Sequence, residues 1–403
     1  MHSLDKVPAV RPIRLWARAL WLALALTGCG GGVESGGTGA TPGSFASGPI
    51  TGFGSVIVNG VRFDDSKAVV TDDDDGKSDR AKLRLGMTIE IRGSAITTDS
   101  TGAPVSTASQ IVFGSDILGR VDSIDRAAKR LVVLGQGVDV NAATVFDDES
   151  VKGGLPALAV GDVVEVYALF DAAKGRYTAT RIERKDAVAT YRLRGVVSQL
   201  DVVAKAFNIG SERISYAGFT GAFVTPSNGS FVRVRLNPVQ VGSLWRVTGL
   251  KDGTPKPGER DEVRLEGRVS SLLSPTLFSV NGVAVNASGV PPLAGLALGV
   301  RVEVEGTASD GVLMASKVEV KTEDEADRRE FELRGEINSV DAGNLRFVLK
   351  RGETISYTLT GSETETEFRN GTEADLRPGA SVDARGLLSS DGARLVATRI
   401  TFK

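Results

Sequence analysis

One glycine-led pattern recurs along this chain at nearly constant spacing, and it limits the fold more than any other feature. A glycine followed by a short β-type run opens at Gly48, Gly119, Gly195, Gly267 and Gly335, at intervals of 71, 76, 72 and 68 residues. Later in each unit comes a second glycine with an alternating strand: Gly86-Met-Thr-Ile-Glu-Ile, Gly161-Asp-Val-Val-Glu-Val, Gly242-Ser-Leu-Trp-Arg-Val, Gly299-Val-Arg-Val-Glu-Val and Gly379-Ala-Ser-Val-Asp-Ala. Four units close on Ala-Ser/Thr-x-Ile/Val, beginning at Ala108, Ala179, Ala315 and Ala397; the third offers only Asp261-Glu-Val-Arg264. Ordered elements repeating at a fixed period indicate tandem copies of one supersecondary unit.

Alternation such as Val300, Val302 and Val304 against Arg301, Glu303 and Glu305 is the period of a half-buried strand. Asn59-Gly60, Asn281-Gly282, Asp310-Gly311 and Asp391-Gly392 predict tight hairpin turns. No long segment has helical periodicity, and Lys321 to Arg329 reads as a charged linker or a short helical turn. Five or six short strands in about 70 residues suit a small barrel, because closure removes exposed edges. The expected fold class is therefore all-β: five tandem small antiparallel barrels, OB-like, after a signal peptide and a flexible tether. The boundaries read as 1–28 signal, 29–47 tether, and barrels at 48–115, 116–190, 191–264, 265–330 and 331–403. The junctions Tyr191-Arg-Leu-Arg-Gly195, Glu262-Val-Arg-Leu-Glu-Gly267 and Phe331-Glu-Leu-Arg-Gly335 read as strands running from one unit into the next, so that sequence neighbours pack together.

The N-terminus reads as an address. Lys6, Arg11, Arg14 and Arg18 stand against Asp5, and the apolar run Ala19 to Leu26 is far shorter than the roughly 20 residues a spanning helix needs. It ends Leu26-Thr27-Gly28-Cys29-Gly30, which resembles the lipobox of bacterial lipoproteins. That resemblance implies lipidation of Cys29, since two or three acyl chains anchor stably where one does not. With Gly30 rather than Asp after the cysteine, it also implies the outer membrane. The Gly/Ser/Thr-rich segment after Cys29 has the composition of a tether.

Composition narrows the chemistry. The only His is His2 and the only Cys is Cys29, which excludes Ser-His-Asp triads, cysteine nucleophiles, disulfide frameworks and Cys/His zinc sites beyond the signal. Removing residues 1–28 takes four of 48 basic and one of 50 acidic side chains, leaving a net charge of −5. That balance and a single remaining tryptophan, Trp245, argue against a nucleic-acid partner. Gly52-Phe-Gly54-Ser-Val-Ile57 half-matches a dinucleotide loop but leads into a strand, so a hairpin is expected and no cofactor.

The stretch Asp64 to Asp79 holds seven carboxylates, Asp64, Asp65, Asp72, Asp73, Asp74, Asp75 and Asp79. With Gly76 at the sixth position of a calcium loop, the twelfth is Lys82, so an EF-hand fails and a solvated loop is expected. No catalytic, cofactor or metal residue is assigned. The opening Gly52 to Phe63 and the Gly-x-x-Val-x-Val-x-Gly strand resemble a domain-of-unknown-function family whose members occur as tandem small β-barrels in proteobacterial lipoproteins. The resemblance covers roughly 48–403, closest in the first unit and loosest in the third; it implies an OB-like barrel and an envelope location, and no activity. The expectation is a lipid-anchored envelope protein with a structural or ligand-binding role, an envelope protein or glycan being its partner. The alternative is a carboxylate-dependent hydrolase of envelope polysaccharide, which needs no histidine.

Overall fold

A computed structural model describes residues 43–73, 76–259, 261–323, 325, 328–359 and 365–403; Cys29 and the signal segment lie outside them. The described chain is all-β, built of small closed sheets. In the second of these, strands Ile117–Asp125, Arg130–Val133 and Gln136–Asp139 form a meander. The third strand pairs in parallel with the last, Arg176–Lys185, which pairs with Val163–Asp171, and that strand returns to the first. This one-two-three-five-four-one circuit is the OB-type Greek key. The same circuit runs through 44–113, 191–252, 262–321 and 331–402. The spans are called the first to fifth barrels in chain order.

The recurring glycines have structural reasons. A Cβ on the opening glycine would collide with the residue at the corner between strands two and three: Asn59 at Gly48, Leu134 at Gly119, Ile209 at Gly195 and Asn281 at Gly267. At Gly335 it would lie 3.5 Å from Leu349, an ordinary contact. The bare backbone lets the hairpin fold over the first strand and close the barrel.

The second glycine starts strand four with positive φ and donates its N–H to the residue two beyond the opening glycine. The bonds are Gly86 to Ile50 at 2.9 Å, Gly161 to Val121 at 2.9 Å, Gly229 to Val197 at 2.8 Å, Gly299 to Val269 at 2.8 Å and Gly379 to Ile337 at 2.8 Å. In the third barrel this role belongs to Gly229, which corrects the sequence reading. Strand four there is Phe231–Leu236, whereas Gly242 leads into strand five, Trp245–Asp252. The missing closing motif is Val247-Thr-Gly-Leu250, with Val247 facing the bulge at Leu236 as Ala179 faces Ala168 in the second barrel. Asp261-Glu-Val-Arg264 instead belongs at the start of the fourth barrel, whose first strand is Glu262–Ser274.

Asn59-Gly60, Asn281-Gly282 and Asp310-Gly311 are hairpin turns with both residues at positive φ. Asp391-Gly392 departs from expectation: only Gly392 has positive φ, in a longer loop whose Gly392 carbonyl accepts from Phe146 N–H of the second barrel at 2.9 Å.

Two further expectations change. The first barrel's opening strand begins at Ser44, inside the segment read as tether. Phe45 is buried in the fourth barrel's core, and Ala46 in the first barrel's. Small residues resemble a linker by composition, but a strand hydrogen-bonded on both edges can bury them.

The junction strands each start their own barrel's first strand, paired there with strand four. The 191–195 junction does tie neighbour to neighbour, Arg192 and Leu193 pairing with Leu118 and Ile117 of the second barrel, whereas among the described residues the other two are not paired with the barrel before them. Long-range pairing instead joins Ser44–Ser47 in parallel to Glu262–Leu265 of the fourth barrel, and Gly52–Phe53 in parallel to Glu332–Leu333 of the fifth. The first and fifth barrels share one apolar core, and the second and third share another.

Candidate functional site

A concavity of about 630 Å³ opens where the first, second and fifth barrels meet. Its most charged wall is the second barrel's last hairpin. Alternation along Val163–Asp171 puts Glu165 and Tyr167 on one face, and along Arg176–Lys185 it puts Arg181, Glu183 and Lys185 there. Register sets Glu165 opposite Glu183 and Tyr167 opposite Arg181. Two carboxylates face to face would repel. Lys185 Nζ lies between them, 2.8 Å from Glu165 and 2.7 Å from Glu183.

Arg181 is almost fully buried and ties this wall to its surroundings. Its Nε donates to Glu183 at 2.6 Å, Nη2 to Asp147 at 2.7 Å, and Nη1 to the Leu85 carbonyl of the first barrel at 3.3 Å. Arg192, from the third barrel's opening strand, reaches Glu165 at 3.2 Å. On the opposite wall Arg351 of the fifth barrel stacks 3.6 Å over the Phe53 ring and donates to the Leu83 carbonyl and to Glu353. Leu85, Met87, Phe113 and Leu333 supply apolar surface, and Lys82, Arg84, Asp148 and Glu149 stand exposed at the rim.

The electrostatics favour fixed charges of both signs. Burial pushes the Glu183 carboxyl up, but Arg181 and Lys185 outweigh it and hold it below its ordinary range. Asp147 is likewise lowered against burial, by Ser150 and Arg181. Burial and then Glu165 and Glu183 push the Tyr167 hydroxyl well up, so it stays protonated. A carboxyl that burial does raise, Asp116, accepts from Ala168 N–H at 2.8 Å and lines a different, much smaller recess.

The acidic stretch is a clasp rather than an open loop. Asp73 pairs with Arg233 and, at 2.7 Å, with Lys251, both of the third barrel. Asp64 accepts from Ser66 N–H at 3.0 Å, Asp65 lies 3.6 Å from Arg80, and Asp79 caps a short 3₁₀ turn. Asp74 and Asp75 lie outside the described residues. Among the described residues no three His, Cys, Asp or Glu side chains come together as metal ligands do. The half-matched glycine loop is a hairpin corner, with Gly54 at positive φ between strands Ser44–Phe53 and Val56–Val58.

None of the groove residues stands out in the sequence, where they read as the wet faces of strands. One signal was available: the position four beyond the second glycine is charged in every barrel, as Glu90, Glu165, Arg233, Glu303 and Asp383. These side chains face neighbouring barrels or cations, with Asp383 2.9 Å from Arg334 and Glu303 3.5 Å from Lys321.

Segments 119–183, 266–319 and 334–401 match a family model described as a domain of unknown function, DUF5666. They coincide with the second, fourth and fifth barrels. The first unit, where the sequence resemblance is placed most strongly, lies outside the match, as does the third. No curated protein matches the chain.

Proposed function

We propose that this chain, three of whose segments match a family of unknown function, is a non-catalytic lipoprotein of the cell envelope. In this reading it is held at the outer membrane through Cys29, and its packed barrels present the 630 Å³ groove to a glycan or an envelope protein. The observation that carries the reading is the pairing of the groove's carboxylates. Glu165 and Glu183 are locked to Lys185, Arg181 and Arg192, and Glu183 and Asp147 are held ionised. A glycosidase needs one carboxyl raised to serve as acid, whereas Glu183 and Asp147 are both held below their ordinary range.

Alternating fixed cations and anions over an apolar floor suit a polyhydroxylated or zwitterionic ligand, and OB-type barrels bind oligosaccharides elsewhere. The lipobox resemblance supports the anchor. Two measurements test the proposal. Cys29→Ala is expected to abolish fatty-acid labelling and release the protein from membranes; unchanged labelling would overturn the anchor. Titration with peptidoglycan fragments and lipopolysaccharide core oligosaccharides is expected to show saturable binding that Lys82→Glu with Asp148→Lys weakens at least tenfold, with no reducing ends released. Release of reducing ends would establish the hydrolase instead.

A further inference from the structure

A hairpin turn joins strands one and two of each barrel, and in the third and fourth barrels that turn is apolar. The second barrel has Arg126-Ala-Ala-Lys129 there and the fifth has Ala342-Gly-Asn-Leu345. The third has Val202-Val-Ala-Lys205, and in the fourth Leu272, Leu273 and Leu277 flank a two-residue turn. Among the described residues the three most exposed large apolar side chains are Val203 at 92%, Leu273 at 83% and Val202 at 69%. All three stand at this one turn, in two barrels. Single exposed aliphatic side chains are ordinary on any surface, whereas their concentration at one place marks an interaction surface.

The third barrel's turn is held in shape from behind. Asp201 accepts from the N–H groups of Val203 and Ala204 at 3.0 and 2.9 Å, and Tyr216 donates its N–H to the Lys205 carbonyl at 2.9 Å. The Phe223 ring, partly exposed, lies 6.0 Å from that of Tyr216. Arg213 lies 4.0 Å from Asp201, whereas Lys205 is exposed and has no carboxylate partner among the described residues.

Shape and area select the occupant. A stable protein interface takes about 800 Å² from each partner, more than one hairpin turn presents, and neither turn lines the groove. A bilayer requires no matching surface: aliphatic side chains on a projecting turn enter the headgroup boundary, and a flanking lysine is drawn to anionic lipid. We propose that the first turns of the third and fourth barrels dock on an anionic phospholipid bilayer, with Val202, Val203 and Leu273 entering it and Lys205 meeting headgroup phosphates. From the reading above this takes only that a membrane is at hand.

The test uses the chain from Gly30 onward, which keeps every described residue and lacks Cys29. This unacylated chain is expected to float with vesicles of phosphatidylethanolamine and phosphatidylglycerol. Val202→Asp with Val203→Asp is expected to weaken that binding about tenfold or more, and Leu273→Asp to weaken it in the same direction. Tryptophan supplies a second readout that leaves affinity in place. Val203→Trp and Leu273→Trp are expected to be quenched by lipids brominated on their acyl chains, and Ala127→Trp on the second barrel's polar turn is not. A parent chain that stays in solution beside the vesicles, aspartate variants that float as the parent does, or equal quenching at 127 and 203 each overturns the proposal. Fatty-acid labelling of Cys29 is measured separately on the complete chain, so failure of the anchor and failure of these turns are distinguishable.

Discussion

In the second barrel Glu165 stands four residues after Gly161; in the third, Arg233 stands four residues after Gly229. The backbone at the two places is equivalent, with the same positive-φ glycine and the same N–H bond back to the first strand. The charge is reversed because the surroundings are. Glu165 meets Lys185 and Arg192, whereas Arg233 meets Asp73 from the first barrel's acidic hairpin. What the barrels hold in common is thus a skeleton of glycines and hydrogen bonds, and what distinguishes each is the neighbour its fourth strand must neutralise. The family match covers the second barrel and omits the third, in keeping with this division.

The sharpest attempt to break the comparison is to remove one member of the third barrel's pair. Arg233→Ala empties the space of an almost fully buried side chain and leaves Asp73 with Lys251, and is expected to lower unfolding free energy by about 3–5 kcal/mol in denaturant titration. Glu165→Gln in the second barrel is expected to cost less, about 1–3 kcal/mol, because Lys185 keeps Glu183 as a partner. Equal losses at the two sites would mean that the neighbour does not set the charge.

The shared skeleton predicts a second ranking. Gly119→Ala and Gly195→Ala must displace Leu134 and Ile209, and are expected to cost about 1–3 kcal/mol each by overpacking. Gly335→Ala has room and is expected to change the denaturation midpoint little. A large loss at Gly335 would remove the steric reason given for the repeated glycine.

The smallest effect is the pH dependence. Asp73 and Glu183 sit below their ordinary values of 3.8 and 4.5: burial raises both, and their cation partners more than offset it. A lowered carboxyl contributes stability that is complete above its unfolded value and lost as pH falls through its folded one. Stability should therefore decline below about pH 4.5. In Arg233→Ala the decline should be shallower, because Asp73 has lost its nearest cation. Glu303 acts in the opposite sense: burial and Glu266 raise it, so its contribution is lost as pH rises through the raised value. An acid limb as steep in Arg233→Ala as in the parent would count against the clasp.

Much of the fold was readable because its determinants are local. Alternation marked strands, Asn-Gly marked turns, and the opening glycine marked where a hairpin closes over strand one. Gly242 misled because glycine followed by alternation describes strand five of the third barrel as well as strand four. Only the bond from Gly229 to Val197 separates them. Leu134 at positive φ hid another turn, since leucine rarely adopts that conformation. The groove was illegible for a different reason. Met87, Arg181 and Arg351 come from three barrels, and nothing in their own segments announces that those barrels will touch.

The strand Ser44–Phe53 has an implication for biogenesis. It emerges from the ribosome ahead of every other described strand. Yet its parallel partners at Glu262–Leu265 and Glu332–Leu333 are made more than two hundred residues later. Until then its outer edge and Phe45 lack their native cover, the kind of unpaired apolar edge that invites aggregation. Folding of this molecule therefore calls for that edge to be held covered while the intervening chain is made, and the pairing of this strand is completed only when the fifth barrel has arrived.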